Sequence, residues 1–121
     1  MSKKILAVDD DLYILDALVE LLKYSGYDVN TTPRGDEVFK KIDECVPDLI
    51  LLDVMLSGTD GREICKQLKS NIATSGIPVI MISATPSISD SVKSFGANDF
   101  IAKPFDIFQL LNKIEKQLQS A

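Results

Sequence analysis

Short apolar runs alternate along this chain with stretches in which apolar residues fall at spacings of three and four. The first run, Lys4-Ile5-Leu6-Ala7-Val8, stops at Asp9-Asp10-Asp11; a short apolar run closed by polar residues reads as a buried strand. Asp10 or Asp11 can cap the helix that follows. In it Leu12, Leu15, Leu18, Val19 and Leu22 make one face apolar, and Ser25-Gly26 ends it. Tyr27-Asp28-Val29-Asn30-Thr31-Thr32 predicts a second, more polar strand suited to a sheet edge. Pro33-Arg34-Gly35 is a turn. Val38, Phe39 and Ile42 mark a second helix that ends before Pro47.

Leu49-Ile50-Leu51-Leu52 is wholly apolar and runs into Asp53, which predicts a central strand. Residues 57–61 read as a loop, and Ile64, Cys65 and Leu68 as a third helix. Residues 77–82 form a fourth strand ending at Ser83. A weaker helix is predicted over residues 87–95, closed by Gly96. Asp99-Phe100-Ile101-Ala102 is a short fifth strand running into Lys103-Pro104, and Ile107, Leu110, Leu111, Ile114 and Leu118 define a final helix. Five such β–α units without repeat or linker predict one α/β domain over residues 1–121. It is a doubly wound, five-stranded parallel sheet with five helices divided between its faces. In such sheets the functional crevice lies beyond the carboxyl ends of the strands.

Composition narrows the chemistry. The 121 residues carry 13 basic and 18 acidic side chains, a net charge of −5, which gives no footprint for direct nucleic-acid binding. No apolar run approaches the roughly 20 residues of a membrane helix, and the basic start Ser2-Lys3-Lys4 leads into only four apolar residues, too few for a signal peptide. There is no His, which removes serine–histidine and cysteine–histidine nucleophiles and imidazole zinc sites. Cys45 and Cys65 form no metal-binding spacing and read as reduced thiols of a cytoplasmic protein.

The ends of the predicted strands are polar in a particular way. Strand one ends in Asp9-Asp10, strand three in Asp53, strand four in Ser83-Ala84-Thr85 and strand five in Lys103-Pro104. Each has an ordinary structural use: a helix cap, a solvated loop carboxylate, a backbone partner, a surface lysine. Parallel strands nevertheless bring all of them to one edge of the sheet. Carboxylates gathered at about 5 Å repel by roughly 3 kcal/mol per pair at an effective dielectric of 20. A hard divalent cation relieves this, and an oxygen-only ligand set points to Mg²⁺. A carboxylate beside a cation and an ammonium can accept a phosphoryl group whose oxygens those charges and a hydroxyl neutralise.

These residues, in this order, resemble the receiver domain of two-component response regulators. The resemblance spans Lys4 to about Leu118 and rests on Val8-Asp9-Asp10, Leu52-Asp53-Val54-Met55-Leu56, Asp60-Gly61, Ser83-Ala84 and Lys103-Pro104-Phe105. It implies a flavodoxin-like sheet of order 2-1-3-4-5. Asp53 would be the phosphoacceptor. Asp9 and Asp10 would hold Mg²⁺ with Asp53 and the backbone carbonyl of Met55. Ser83 and Lys103 would bind the phosphoryl group, and Phe100 would be the switch aromatic, lacking the hydroxyl of a Tyr. The Lys103–Pro104 bond would be cis, aiming the ammonium back over the strand ends. The donor would be a histidine kinase or a histidine-containing phosphotransfer protein. An unidentified protein would dock on the face made by the predicted helix at 87–95, the fifth strand and the final helix. One position departs from the family: Ser57 stands where a Pro is usual, which bears on loop rigidity and touches no proposed ligand side chain.

Two other readings compete. One is a receiver-like docking module that works without phosphorylation, against which stands the presence of every acidic and basic position. The other is a phosphoaspartyl hydrolase, because Asp9-Asp10-Asp11 superficially resembles the opening motif of the haloacid dehalogenases; Tyr13 stands where that family has Thr or Val, and 121 residues are few for its domain and cap. A nucleotide-binding enzyme lacks its motifs, since neither GxGxxG nor GxxxxGK[ST] occurs. No effector domain follows the last helix in this sequence, and a stand-alone receiver is the expectation.

Overall fold

Successive residues of a strand point to opposite faces, and in this protein both faces are covered. The computed structural model describes residues 2–84 and 93–119. Its main sheet consists of β1 (Lys4–Val8), β2 (Asp28–Thr32), β3 (Leu49–Asp53), β4 (Val79–Ser83) and β5 (Asp99–Ala102). The strands are all parallel and lie in the order β2-β1-β3-β4-β5. Four helices are described: α1 (Leu12–Tyr24), α2 (Val38–Glu44), α3 (Gly61–Ser70) and α4 (Ile107–Gln119). Five were expected; the one predicted over 87–95 falls largely on residues outside the described ones.

The core divides by strand parity. Leu6, Val8, Ile50, Leu52, Val79 and Met81 pack with Val38 and Ile42 of α2 and Ile64, Cys65 and Leu68 of α3. Ile5, Ala7, Leu49, Leu51, Ile80, Ile82 and Ile101 pack with Leu15, Leu18 and Leu22 of α1 and Leu110 and Ile114 of α4. All five residues of β3 are buried, as a strand covered on both faces requires, whereas the polar β2 lies at the edge with only Thr32 buried.

Two boundaries differ from the sequence reading. β4 begins at Val79 rather than at residue 77, because Pro78 has no N–H to give the ladder, although its carbonyl accepts from Ile50 N at 3.0 Å. In the expected loop at 57–61, residues 57–60 are the turn and second arm of a small antiparallel hairpin pairing Met55–Leu56 with Thr59–Asp60, and Gly61 opens α3. Gly58 takes a positive φ of 74° at its turn, a conformation that glycine adopts without steric penalty.

Candidate functional site

Sheet register decides which side chains meet. Val8 pairs with Leu52, Asp53 with Ile82 and Ser83 with Ala102, so Asp9, Asp53, Ser83 and Lys103 follow one another along the carboxyl edge. Backbone bonds continue the ladder past the strand ends: Val54 N donates to Ile82 O at 2.9 Å and Lys103 N to Ser83 O at 2.8 Å. The Lys103–Pro104 peptide bond is cis.

The acidic residues after β1 divide three tasks. Asp11 is the N-cap of α1, its carboxylate accepting from Tyr13 N at 3.0 Å and Ile14 N at 3.4 Å. Asp9 is buried; its Oδ1 accepts from Asp11 N at 2.9 Å. Asp10 is exposed and turns to the loop after β3, where its Oδ2 accepts from Ser57 N at 3.0 Å and Ser57 Oγ at 2.8 Å. Asp9, Asp10 and Asp53 each offer one oxygen to a cluster in which these atoms lie within 4.8 Å of one another.

The Lys103 ammonium sits between two of them, 2.9 Å from Asp9 Oδ2 and 3.3 Å from Asp53 Oδ2. The contact with Asp9 is one of charge without hydrogen-bond alignment, so Oδ2 remains a buried oxygen without a hydrogen bond among the described residues. A buried acceptor left this way is costly unless a cation faces it. Burial pushes the Asp53 carboxyl up to about 6; the neighbouring charge of Asp9 acts the same way, and Lys103 and the Met55 N–H oppose them. For Lys103, burial works to lower the pKa, but Asp9 and Asp53 outweigh it and the net shift is upward. An ammonium that stays charged beside two carboxylates offsets their repulsion only in part, which leaves the donor set suited to a hard divalent cation.

Ser83 is fully buried at the end of β4. Phe100, opposite Met81 in the register, is half-buried against the core on the α2–α3 side. Met55 opens the hairpin two residues beyond Asp53, its side chain exposed. The structure therefore brings Asp9, Asp10, Asp53 and Lys103 into contact or near contact. Ser83 lies on the same edge, and Phe100 lies further back along β5.

A family model, the response regulator receiver domain, matches residues 5–115. The chain belongs to this family. It is 36% identical over 127 residues to the phosphate regulon transcriptional regulatory protein PhoB of Rhizobium meliloti (strain 1021), an alignment that takes in 100% of this chain and 54% of that protein, so the chain spans about half the length of this curated relative. Among solved structures, a CheY-like response regulator receiver domain protein from Methanospirillum hungatei JF-1 superposes with a TM-score of 0.91 at 32% identity, covering 99% of this chain and 96% of that one. The receiver domain of NtrX from Brucella abortus gives 0.89 at 32% identity, covering 97% and 99%. The fold is the flavodoxin-like one of these neighbours, and the chain is a phosphoacceptor-type receiver domain of two-component signalling. No helix of the described residues is long and apolar enough to cross a membrane.

Two features of this receiver domain were not evident from the strand ends. Ser57 does touch a proposed ligand: both its N–H and its hydroxyl engage Asp10, which corrects the expectation that the departure from Pro concerns loop rigidity alone. A polar residue that opens a predicted loop gives no sign of such a partner 47 residues away. Gly61 is the second. Its N–H donates to Val54 O at 2.8 Å, and a Cβ built on it would collide with the carbonyl oxygen of Asp53. Asp60 caps α3 through Arg62 N at 2.9 Å, and nothing in the residue order points to contact of Gly61 with the backbone of Asp53.

Proposed function

We propose that Asp53 accepts a phosphoryl group from a phosphohistidine of a partner protein and that Asp9, Asp10 and Asp53, with the Met55 carbonyl, hold Mg²⁺ for that reaction. The observation that carries this reading is the position of Asp53: buried at the end of the central strand, in an all-oxygen cluster with Asp9 and Asp10, and 3.3 Å from the Lys103 ammonium. The all-carboxylate donor set of the cluster, with no nitrogen or sulfur ligand in it, fits a hard cation.

An oxygen of the Asp53 carboxylate attacks the phosphorus. The O–P bond forms as the N–P bond breaks, and the electron pair stays on the donor imidazole, which takes a proton from solvent. With its pKa near 6, Asp53 is about nine-tenths ionised at pH 7 and available to attack. Lys103 follows the transferred oxygens as a fixed positive charge, and the Ser83 hydroxyl bonds one of them. Bound Mg²⁺ supplies neutralisation of the charge on the phosphoryl oxygens. Because residues 1–121 contain no His, the donor lies outside this domain: a histidine kinase or a histidine-containing phosphotransfer protein. Ser83 and Phe100 pass the change to a partner-binding face around β5 and α4. The domain acts in the cytoplasm as a single switch over residues 1–121, without direct nucleic-acid contact.

The test is intact mass after incubation with Mg²⁺ and acetyl phosphate. The expected product is one hydroxylamine-labile phosphoryl adduct, absent from Asp53→Asn. A full labile adduct in that variant places the acceptor elsewhere. Turnover of the phosphate without an adduct favours the hydrolase, and no reaction at all favours the docking module.

A further inference from the structure

The geometry points to Ser57 as a positioning residue that sets the affinity of the acidic cluster for its cation by anchoring Asp10; the inference rests on the Mg²⁺ site proposed above. Lys103 serves the other two carboxylates, standing 2.9 Å from Asp9 and 3.3 Å from Asp53. Asp10 is instead held from the loop after β3 by two donors of one residue, the Ser57 N–H at 3.0 Å and its hydroxyl at 2.8 Å, both on Oδ2.

An exposed aspartate at the mouth of a cluster has rotamers that turn it to solvent, away from the like charges of Asp9 and Asp53. Two converging hydrogen bonds select against those rotamers. A carboxylate has about four acceptor positions, so Oδ2 can satisfy Ser57 while Oδ1 stays available to a metal. The cluster oxygens already lie within 4.8 Å of one another with the Ser57 bonds in place, so the anchor and the ligand geometry are compatible. A partner that orients a ligand in this way typically contributes 10–100-fold in metal affinity. Both residues here are exposed, which argues for the lower end.

The experiment titrates the metal-free full chain with MgCl₂ and follows backbone amide NMR shifts, so no phosphotransfer activity is needed. Ser57→Ala removes the hydroxyl, and Ser57→Pro removes both the hydroxyl and the N–H. Circular dichroism verifies that each variant folds. The expected result is a Kd for Mg²⁺ raised severalfold in Ser57→Ala, raised on the order of tenfold in Ser57→Pro, and restored by Ser57→Thr. In an Asp10→Asn background, Ser57→Ala should add nothing, as members of one interacting pair require. Unchanged affinity in both Ser57 variants overturns the inference and leaves the cation site standing. Tighter binding overturns it in the other direction, with Ser57 a competitor of the metal. Failure of the wild-type chain to bind Mg²⁺ removes the cation site itself and the inference with it.

Discussion

Asp53 is held against its own preference. Burial and the charge of Asp9 raise its carboxyl from the usual 3.8 to about 6 in the metal-free protein. Between about pH 4 and pH 6 the folded chain therefore keeps a proton that the unfolded chain has lost. Stability falls as pH rises through that window and levels off above it. A shift of roughly two units corresponds to about 3 kcal/mol at most. Asp53→Asn should remove this slope and, in chelator at pH 7, should raise the unfolding free energy by about 1–3 kcal/mol. Urea unfolding of both proteins from pH 4 to 7 measures the difference; equal stabilities at pH 7 would mean that Lys103 already neutralises the strain. At this scale the sequence was informative where chemistry stands at a strand end. Asp9, Asp53, Ser83 and Lys103 follow from parallel pairing alone. The link between Asp10 and Ser57 did not, because it depends on how a hairpin of two-residue arms folds back.

Helix α3 begins in contact with the backbone of Asp53, the proposed acceptor. Gly61 opens the helix with no side chain because one would strike the Asp53 carbonyl oxygen and lie 3.0 Å from its carbon and 3.1 Å from Val54 Cα. Helix propensity alone favours Ala over Gly by roughly 1 kcal/mol. Overpacking against a buried backbone costs about 1–3 kcal/mol, and the obstacle here is a main-chain group that cannot swing aside. The second effect wins: Gly61→Ala should destabilise the domain by about 2 kcal/mol and lower the yield of acyl phosphate, measured by urea unfolding and by intact mass. A more stable variant with full labelling would show that α3 can shift without moving Asp53. Elements were legible in proportion to the length of their periodic pattern. α1 and α4 stood out, and β3 was legible instead as an unbroken apolar run. The hairpin arms at Met55–Leu56 and Thr59–Asp60 are too short to show any period, and β4 starts late because of a single proline.

Across the molecule, the sheet is the physical connection between the acidic cluster and the proposed partner face. Mg²⁺ at ten times its Kd should stabilise the chain by about 1.4 kcal/mol through linkage alone, which differential scanning calorimetry reads as a raised Tm. The proposed conformational response would travel along β4 and β5. Ser83 is paired with Ala102, and Phe100 lies two residues back, opposite Met81 in the core between the sheet and α2–α3. A ligand that draws the Ser83 hydroxyl toward a phosphoryl oxygen changes the packing at the end of β4, and the half-exposed Phe100 ring can then complete its burial. A phenyl ring leaves no hydroxyl to satisfy, so each further Å² covered contributes about 25 cal/mol without a polar penalty. The inward state is accordingly expected to be populated before phosphorylation. Since a ligand shifts an equilibrium only by its differential affinity, the visible response should be modest. Beryllofluoride with Mg²⁺ should therefore move the backbone amides of Phe100, Ile101 and Ala102 and of the first turn of α4 by small but measurable amounts, together with those of Asp9, Asp10 and Asp53. Phe100→Ala should abolish the β5 response while leaving adduct formation at Asp53 intact. Shifts confined to the acidic cluster in the wild-type chain would uncouple the phosphoryl site from the β5–α4 face and leave the output to another surface.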